Sequence, residues 1–189
     1  MVTFGVIDTE TTGLGKFDRR CPRDDDFAIS IGLVVADADL DRMRLKCTDC
    51  MYSLIRIPDP SRSNDTFHIH GIDAGRVAGA PAPQDVCASI LAMQERHGFD
   101  VAAAWNHSFD RYFVDRLFSQ SDLKQPKWDW LELQPVPYAK LDHHVQTVSH
   151  EAVKGLPAHN ALYDSVRALG VFADRKGFDL DLSPIASKL

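Results

Sequence analysis

The first third of the chain contains three runs of apolar residues that are typical of strands. Val2 to Asp8 is a short apolar run that ends on an acid, and Phe27 to Asp37 and Met51 to Ile57 are two further segments rich in β-forming residues. Apolar runs of this length predict strands that pack against a core. Three such strands in succession predict an antiparallel meander.

Helical spacing of the apolar residues begins after Pro83 and stops at Gly98. The residues that carry this first stripe are Val86, Ile90, Leu91 and Met93. A short apolar strand is predicted at Val101 to Trp105. The next helix would be capped by Asn106 or Ser108. Its buried stripe consists of Phe109, Phe113 and Leu117.

The segment Ser121 to Pro137 contains three prolines, which predict an irregular connection or a surface insertion. Its tryptophans, Trp128 and Trp130, are interpreted as packing anchors rather than as platforms for stacked bases. Tyr138 to Leu141 is interpreted as a fifth strand, and Val145 to Val153 is predicted to be helical.

The last helix is predicted to begin after Pro157. Its core-facing stripe consists of Leu162, Val166, Leu169 and Ala173. Strands followed by alternating helices and strands predict an α/β fold. We expect a mixed five-stranded sheet, in which three antiparallel strands are followed by parallel ones, flanked by helices.

The composition suits a single domain that spans residues 1–189. Hydrophobic residues make up 44% of the chain and charged residues 25%, and no linker divides it. The N-terminal apolar run has no basic start and ends on an acid, which fits neither a signal peptide nor a membrane helix. We therefore expect a soluble, cytoplasmic protein.

The four cysteines are too few for a disulfide framework, so free thiols are expected. Cys47 and Cys50 form one CxxC pair, which is at most half of a zinc site. The alternating apolar residues that follow the pair favour a strand, and we expect both thiols to be structural.

Two acidic segments occur where strands of the predicted sheet end. Asp8 and Glu10 lie two residues apart at the end of the first strand, so their side chains project from the same face. Asp110 falls in the first turn of a helix that follows a short strand. It is either a capping residue or a ligand near the carboxyl ends of the strands, where open α/β sheets bind ligands.

The last helix carries the third acidic position. Asp164 lies among small apolar residues, where a carboxylate is costly unless it is paired or bound to a metal. His159 precedes it by five residues and is expected to reach the same site from the preceding loop. Taken alone, a DxE pair, a capping acid or a single histidine is more often structural than catalytic.

Together, three segments resemble the motifs of the DEDDh family of 3'-to-5' exonucleases. They are DTETTGL with Asp8 and Glu10, NHSFD with Asp110, and HNALYD with His159 and Asp164. The segment FHIHGID resembles the connector of the same family. The tyrosine subclass would have tyrosine at position 160, so the spacing of the third motif indicates the histidine subclass. The resemblance implies a ribonuclease H-like fold.

The resemblance also implies a site for two divalent metal ions. Asp8, Glu10 and Asp164 would ligate one ion, Asp8 would bridge to the second, and Asp110 would hold the ligand sphere of the second ion, directly or through water. Oxygen ligands favour Mg²⁺ or Mn²⁺. His159 would accept the proton of the attacking water.

Residues around the first two motifs are candidates for contacts to the terminal nucleotide. They are Thr11, Leu14 and Asn106, although Leu14 equally fits a core position. The chain departs from the family pattern at Trp105 and His107 and in an insertion at Gly15 to Asp26. Basic residues cluster in this insertion, and we expect them to meet the phosphates of a single strand or to form a solvated face. They are Lys16, Arg19, Arg20 and Arg23.

The formal net charge of −6 at first argues against a nucleic-acid partner. If four carboxylates share one metal site, however, two divalent cations neutralise them and leave a residual charge of about −2. That residual charge is small enough for a local basic patch to dominate.

The implied function is a metal-dependent 3'-to-5' exonuclease that acts on DNA and releases nucleoside 5'-monophosphates. The alternatives are an exoribonuclease that trims RNA 3' ends or short oligoribonucleotides, and a catalytically inactive nucleic-acid-binding module. The expected partners are single-stranded nucleic acid or 3' ends, with DNA preferred over RNA, and either a polymerase or a second copy of the chain. No membrane partner is expected.

Overall fold

The fold is a mixed sheet with helices on both faces. The computed structural model describes residues 1–137, 139–147, 153 and 155–189. Within them the strands are β1 (Val2–Thr11), β2 (Ala28–Asp39), β3 (Arg44–Leu54), β4 (Val101–Ala104), β5 (Asp129–Glu132) and β6 (Asp179–Asp181). Their order in the sheet is β5-β4-β1-β2-β3-β6. The first three strands are antiparallel, whereas β4 runs parallel to β1, β5 to β4, and β6 to β3.

Helices connect the strands and cover the sheet. They are α1 (Phe67–His70), α2 (Ala74–Ala78), α3 (Pro83–His97), α4 (His107–Ser119), α5 (Leu141–Thr147) and α6 (Ala161–Lys176). Short 3-10 turns occur at Gly15–Phe17, Pro60–Thr66 and Ser183–Lys188.

The structure confirms the predicted α/β fold, with three antiparallel strands followed by parallel ones, but the described sheet has six strands rather than five. β5 lies inside the segment that the sequence predicted to be irregular, and β6 follows α6. These are edge strands of four and three residues. Most of their side chains are at least partly exposed, so neither strand produces the apolar run by which buried strands are recognised.

The strand predicted at Tyr138 to Leu141 is wrong for the residues that the structure describes. Leu141 begins α5, and the first turn of α5 is closed by the N–H of His144, which donates to the carbonyl of Lys140. Tyr138 itself lies outside the described residues. The helix predicted at Val145 to Val153 corresponds to α5, which starts four residues earlier than predicted, at Leu141. Residues 148–152 lie outside the described residues.

Two cores lie on opposite faces of the sheet, as expected for helices on both sides. Along β2, Val34 and Ala36 belong to the core that includes α6, while Leu33 and Val35 belong to the core built with α3 and α4. Because successive residues of a strand point to opposite faces, one apolar strand serves both layers.

The tryptophans and the CxxC pair lie in or against the cores of the sheet. Trp128 is buried and stacks on Phe99, with ring centroids 6.0 Å apart, and Trp130 packs edge-on against it. Cys47 and Cys50 are free thiols buried in the core along β3. Within the described residues neither thiol belongs to a cluster of metal-ligating side chains. No described helix has the length and apolar character needed to span a membrane.

Candidate active site

Asp8 and Glu10 lie near the C-terminal end of β1, on the face of the sheet that carries α6. Phe4 and Val6, which have the same parity along the strand, pack in the core that includes α6. Alternation along β1 therefore directs both carboxylates to this face. Asp8 is paired in register with Gly32 of the neighbouring strand β2.

The first turn of α6 approaches the sheet at Gly32. A Cβ atom at this position would lie 2.3 Å from backbone atoms of Ala161 and Leu162, closer than any side chain can be accommodated. Oγ of Ser165 lies within hydrogen-bonding distance of the carbonyl oxygens of Gly32, at 3.3 Å, and Ala161, at 2.8 Å. The absence of a side chain at Gly32 thus allows α6 to bring its first turn beside the end of β1.

Asn160 determines where α6 begins. Its side-chain oxygen accepts hydrogen bonds from the N–H groups of Leu162 and Tyr163 at 3.1 and 3.3 Å, as an N-cap residue does. Asp164 then falls in the first turn of α6 and is buried. Capping and the close approach at Gly32 together place Asp164 against the two carboxylates of β1.

Asp110 enters the site from the opposite side, at the start of α4. It is buried, and one of its carboxylate oxygens accepts a hydrogen bond from the hydroxyl of Thr9 at 2.9 Å. Asn106 occupies the N-cap position of α4 with a left-handed backbone (φ 64°), but its side chain makes no capping hydrogen bond. Thr9 therefore ties the start of α4 to β1 and holds Asp110 near Asp8.

His159 joins the site from the loop before α6, as the spacing of the third motif predicted. Its backbone is left-handed (φ 58°), and its N–H donates to Oδ2 of Asp164 at 2.9 Å. Potential ligand atoms of Glu10, His159 and Asp164 all lie within 4.8 Å of one another. The side chain of His159 is 49% exposed, so its imidazole is open to solvent in the cleft.

The crowded carboxylates have strongly perturbed acidities. Desolvation, followed by the charges of Asp164 and Asp110, raises the pKa of Glu10 to about 8. Desolvation also raises the pKa of Asp110 to about 8. The pKa of Asp8 is raised well above its usual range, first by desolvation and then by the charges of Asp110, Asp164 and Glu10. The pKa of Asp164 is raised by burial as well, against the opposing effect of a hydrogen bond from Arg167.

These acidities indicate what the site can hold. Four carboxyl groups that resist ionisation form a centre that lacks positive charge, and divalent cations supply such charge. The donors are hard carboxylate oxygens with one imidazole nitrogen, a set that suits Mg²⁺ or Mn²⁺ better than thiolate-seeking metals. The residues present therefore fit the metal site that the sequence predicted.

Three residues of the site were not identified from the sequence. Arg167, three residues after Asp164, is buried and donates to Oδ1 of Asp164 at 2.5 Å. Its i,i+3 spacing from an acid on an apolar helix was the one available indication. Asp142 of α5 and Glu132 of β5 also line the cleft, and their places depend on segments that the sequence misassigned.

The cleft over the carboxylates has a volume of about 1000 Å³. Leu14 and Asn106 line it, and Leu14 is 53% exposed, so the core position considered for Leu14 is wrong. Thr11, by contrast, is buried, and its hydroxyl donates to the carbonyl of Gly13 at 2.6 Å. Glu132 accepts the N–H of Asn106 at 2.8 Å, which connects β5 to the rim of the cleft.

The insertion Gly15 to Asp26 is fastened beside this cleft by its acidic end. Asp26 is buried and accepts hydrogen bonds from the N–H of Gly15 at 2.9 Å and from Nη2 of Arg62 at 2.7 Å. Arg62 also pairs with Asp25 at 2.8 Å. Two of the acids are thus already paired, while the four basic residues of the insertion are exposed. A groove that includes Arg19 and Arg20 adjoins the cleft at Leu14.

No protein-family model and no curated protein sequence matches the chain. Solved structures do match. A full-length 3'-exonuclease superimposes over 92% of this chain and 80% of its own, with a TM-score of 0.66 and 16% identity. A 3'-exonuclease in 3'-end specific recognition of a histone mRNA stem-loop matches over 99% of this chain and 65% of its own, with a TM-score of 0.64 and 16% identity.

Escherichia coli exonuclease I in complex with a dA16 oligonucleotide is similar over 95% of this chain and 41% of its own, with a TM-score of 0.64 and 15% identity. The chain thus spans about two fifths of the length of exonuclease I. Likeness at these identities is a likeness of fold. It confirms that the chain has the fold of 3'-exonucleases, as the three motifs predicted.

Proposed function

We propose that the chain is a metal-dependent 3'-to-5' exonuclease of the DEDDh type. The observation that supports this proposal is the convergence of Asp8, Glu10 and Asp164 with His159 in one cleft of an exonuclease fold, with Asp110 buried beside Asp8. Carboxylates gathered at this density repel one another unless cations are bound, so the site is built for metal rather than for stability. The complete set of ligands argues against an inactive binding module.

Each residue has a distinct role in the proposed reaction. Asp8, Glu10 and Asp164 offer ligand oxygens from β1 and α6, and Asp110 offers another from α4. Divalent cations bound there would stabilise the attacking and leaving oxygens of the phosphodiester. His159, exposed at the rim, would accept the proton of the attacking water and pass it to solvent.

The proposed substrate is the 3' end of single-stranded DNA, with nucleoside 5'-monophosphates as products. Leu14 and Asn106 line the cleft and would contact the terminal nucleotide, whereas Thr11 would act on it only indirectly through the backbone at Gly13. RNA is the second candidate, since one similar structure is a 3'-exonuclease in recognition of a histone mRNA stem-loop. Another similar structure holds a DNA oligonucleotide, which supports the first candidate. We also propose a cytoplasmic location and association with a polymerase or a second copy. Light scattering of the purified protein tests the association with a second copy.

The test uses 5'-labelled single-stranded DNA and RNA of one sequence, incubated with the purified protein in Mg²⁺ or in EDTA. We expect a ladder that shortens from the 3' end only in Mg²⁺, with the faster polymer identifying the substrate. Degradation that proceeds equally in EDTA, or products that carry a 3' phosphate, would contradict the proposed chemistry.

Variants then link the activity to the site. Asp8→Asn and Asp164→Asn should each abolish hydrolysis while the protein remains folded, because each removes a charged ligand and keeps the side-chain shape. Asp115→Asn is the matched control, since Asp115 is an exposed acid on α4 that pairs with Arg111 at 3.8 Å. Activity retained in either site variant would exclude these residues as ligands.

A further inference from the structure

Arg167 connects two acids that belong to different helices. Its Nη1 donates to Oδ1 of Asp164 at 2.5 Å, and its Nη2 donates to Oδ1 of Asp142 on α5 at 2.6 Å. The Arg167 side chain is only 6% exposed, whereas that of Asp142 is 46% exposed. Its buried Nε finds no hydrogen-bond partner among the described residues. Each of the two carboxylates therefore accepts a hydrogen bond from a different Nη nitrogen of the guanidinium.

The geometry of this bridge restrains Asp164. One Asp164 oxygen accepts from Arg167 and the other from the N–H of His159 at 2.9 Å, so the plane of the carboxylate is held from both sides. A guanidinium is planar and rigid, so its own orientation fixes that of the carboxylate it binds. Asp142 in turn fixes Arg167, and its second oxygen lies 4.0 Å from Nε2 of His159.

We propose that Asp142 is a positioning residue that acts through Arg167 on the carboxylate of Asp164, which makes α5 part of the metal centre. The inference rests on the proposed function, because it assigns Asp164 as a metal ligand. Asp142 also favours cation binding in a second way. Its negative charge balances that of Arg167, which would otherwise repel a cation beside Asp164. Partners that orient metal ligands typically change metal affinity or activity by 10- to 100-fold when they are removed.

The experiment measures Mn²⁺ affinity by titration calorimetry in the absence of substrate. The proteins are the wild type, Asp142→Ala, Arg167→Met and the double variant. We expect Asp142→Ala to weaken binding by about 10- to 100-fold. In the Arg167→Met background the same substitution should have little effect, because the residue through which it acts is gone. Asp115→Ala, at an acid with 49% exposure, is the control and should bind like the wild type.

Kinetics provide the second readout. Asp142→Ala should lower kcat while KM for the oligonucleotide stays near the wild-type value, and Asp142→Asn, which keeps an acceptor oxygen, should recover part of the loss. If Arg167→Met does not fold, Arg167→Gln takes its place in the cycle, because glutamine is neutral and lacks the planar guanidinium that bridges both acids.

The outcomes separate this proposal from the proposed function. Wild-type affinity in Asp142→Ala, or a loss that is equal in both backgrounds, would overturn the positioning role and leave the metal site intact. A wild-type protein that binds no Mn²⁺ would overturn the proposed function and this inference together. A loss that appears only when Arg167 is present supports both.

Discussion

Raising the pH of the metal-free protein should lower its thermal stability. The pKa of Glu10 is raised from 4.5 to about 8 by desolvation and then by the charges of Asp164 and Asp110. Between these values the folded protein keeps a proton that the unfolded chain has released. The stabilisation associated with this proton is fully present below about pH 4.5 and is lost as the pH rises through about 8.

The size of the effect follows from proton linkage. One proton retained by the folded state changes the free energy of unfolding by about 1.4 kcal/mol per pH unit. For a domain of this length, 1 kcal/mol corresponds to roughly 2 to 4 °C in Tm. We therefore expect Tm in EDTA to fall by about 3 to 6 °C per pH unit for one retained proton. The pKa of Asp110, also raised to about 8, acts in the same direction.

Circular dichroism melts in EDTA at several values between about pH 5 and pH 8 measure this slope. Glu10→Gln should reduce the slope by about one proton, because the amide does not titrate there. Asp115→Asn should leave it unchanged. Added Mn²⁺ should raise Tm most at the upper end of the range, because the cation then replaces protons as the partner of the carboxylates.

A Tm in EDTA that stays constant or rises over this range would refute the reasoning. It would mean that the carboxylates ionise without penalty in the metal-free fold, and hence that the site is not short of positive charge. If Tm falls with pH as expected but Glu10→Gln does not change that slope, the retained proton belongs to another carboxyl group.

Three further predictions concern other parts of the molecule. Gly32→Ala should destabilise the fold by about 3 kcal/mol or more, because its Cβ would collide with the backbone of α6, and should weaken Mn²⁺ binding in whatever fraction folds. Wild-type stability together with wild-type Mn²⁺ affinity would contradict the close approach of α6 to β2. Charge reversal at Arg19 and Arg20 should weaken binding to single strands and reduce the slope of log affinity against log salt concentration by about 0.7 per lost phosphate contact. Charge reversal at Arg42, in the turn between β2 and β3, should have neither effect, and equal effects at both places would exclude a specific role for the insertion. Asp49→Ala should lower the free energy of unfolding by about 2 to 3 kcal/mol, measured by chemical denaturation, because Asp49 accepts hydrogen bonds from Lys188 and His97. The variant should keep its nuclease activity, and a loss of activity would show that Asp49 is coupled to the cleft.

The basic insertion illustrates a pattern that the sequence left undecided. The run of acids beside Arg23 fits a neutral, solvated surface if only neighbours along the chain are considered. In the structure, Asp25 and Asp26 pair with Arg62, which lies more than 30 residues further along the chain. Arg62, which also pairs with Asp65, thus holds the acidic end of the insertion against the rest of the fold, and only the folded contacts reveal it.

Local geometry explains why the carboxylates of the site could be predicted. Alternation along a strand puts Asp8 and Glu10 on one face, and helix periodicity puts Asp164 on the buried side of α6. The spacing of the third motif likewise predicted that His159 reaches the site. Such relations involve residues within a few positions of one another, and a strand or helix fixes them without reference to the rest of the chain.

The tertiary structure alone decided which distant segments complete the centre. Neither β5 nor β6 has an apolar run, and each places only one large apolar side chain in or against a core, Trp130 and Leu180 respectively. The contact of Arg167 with Asp142 and the close packing of α6 on Gly32 depend on how α5 and β2 lie against α6. The sequence determined the type of the longer elements and the face that each carboxylate occupies, because these are properties of short segments. Only the packed fold determined the distances between the carboxylates and the charges that balance them, because these depend on segments far apart in the chain.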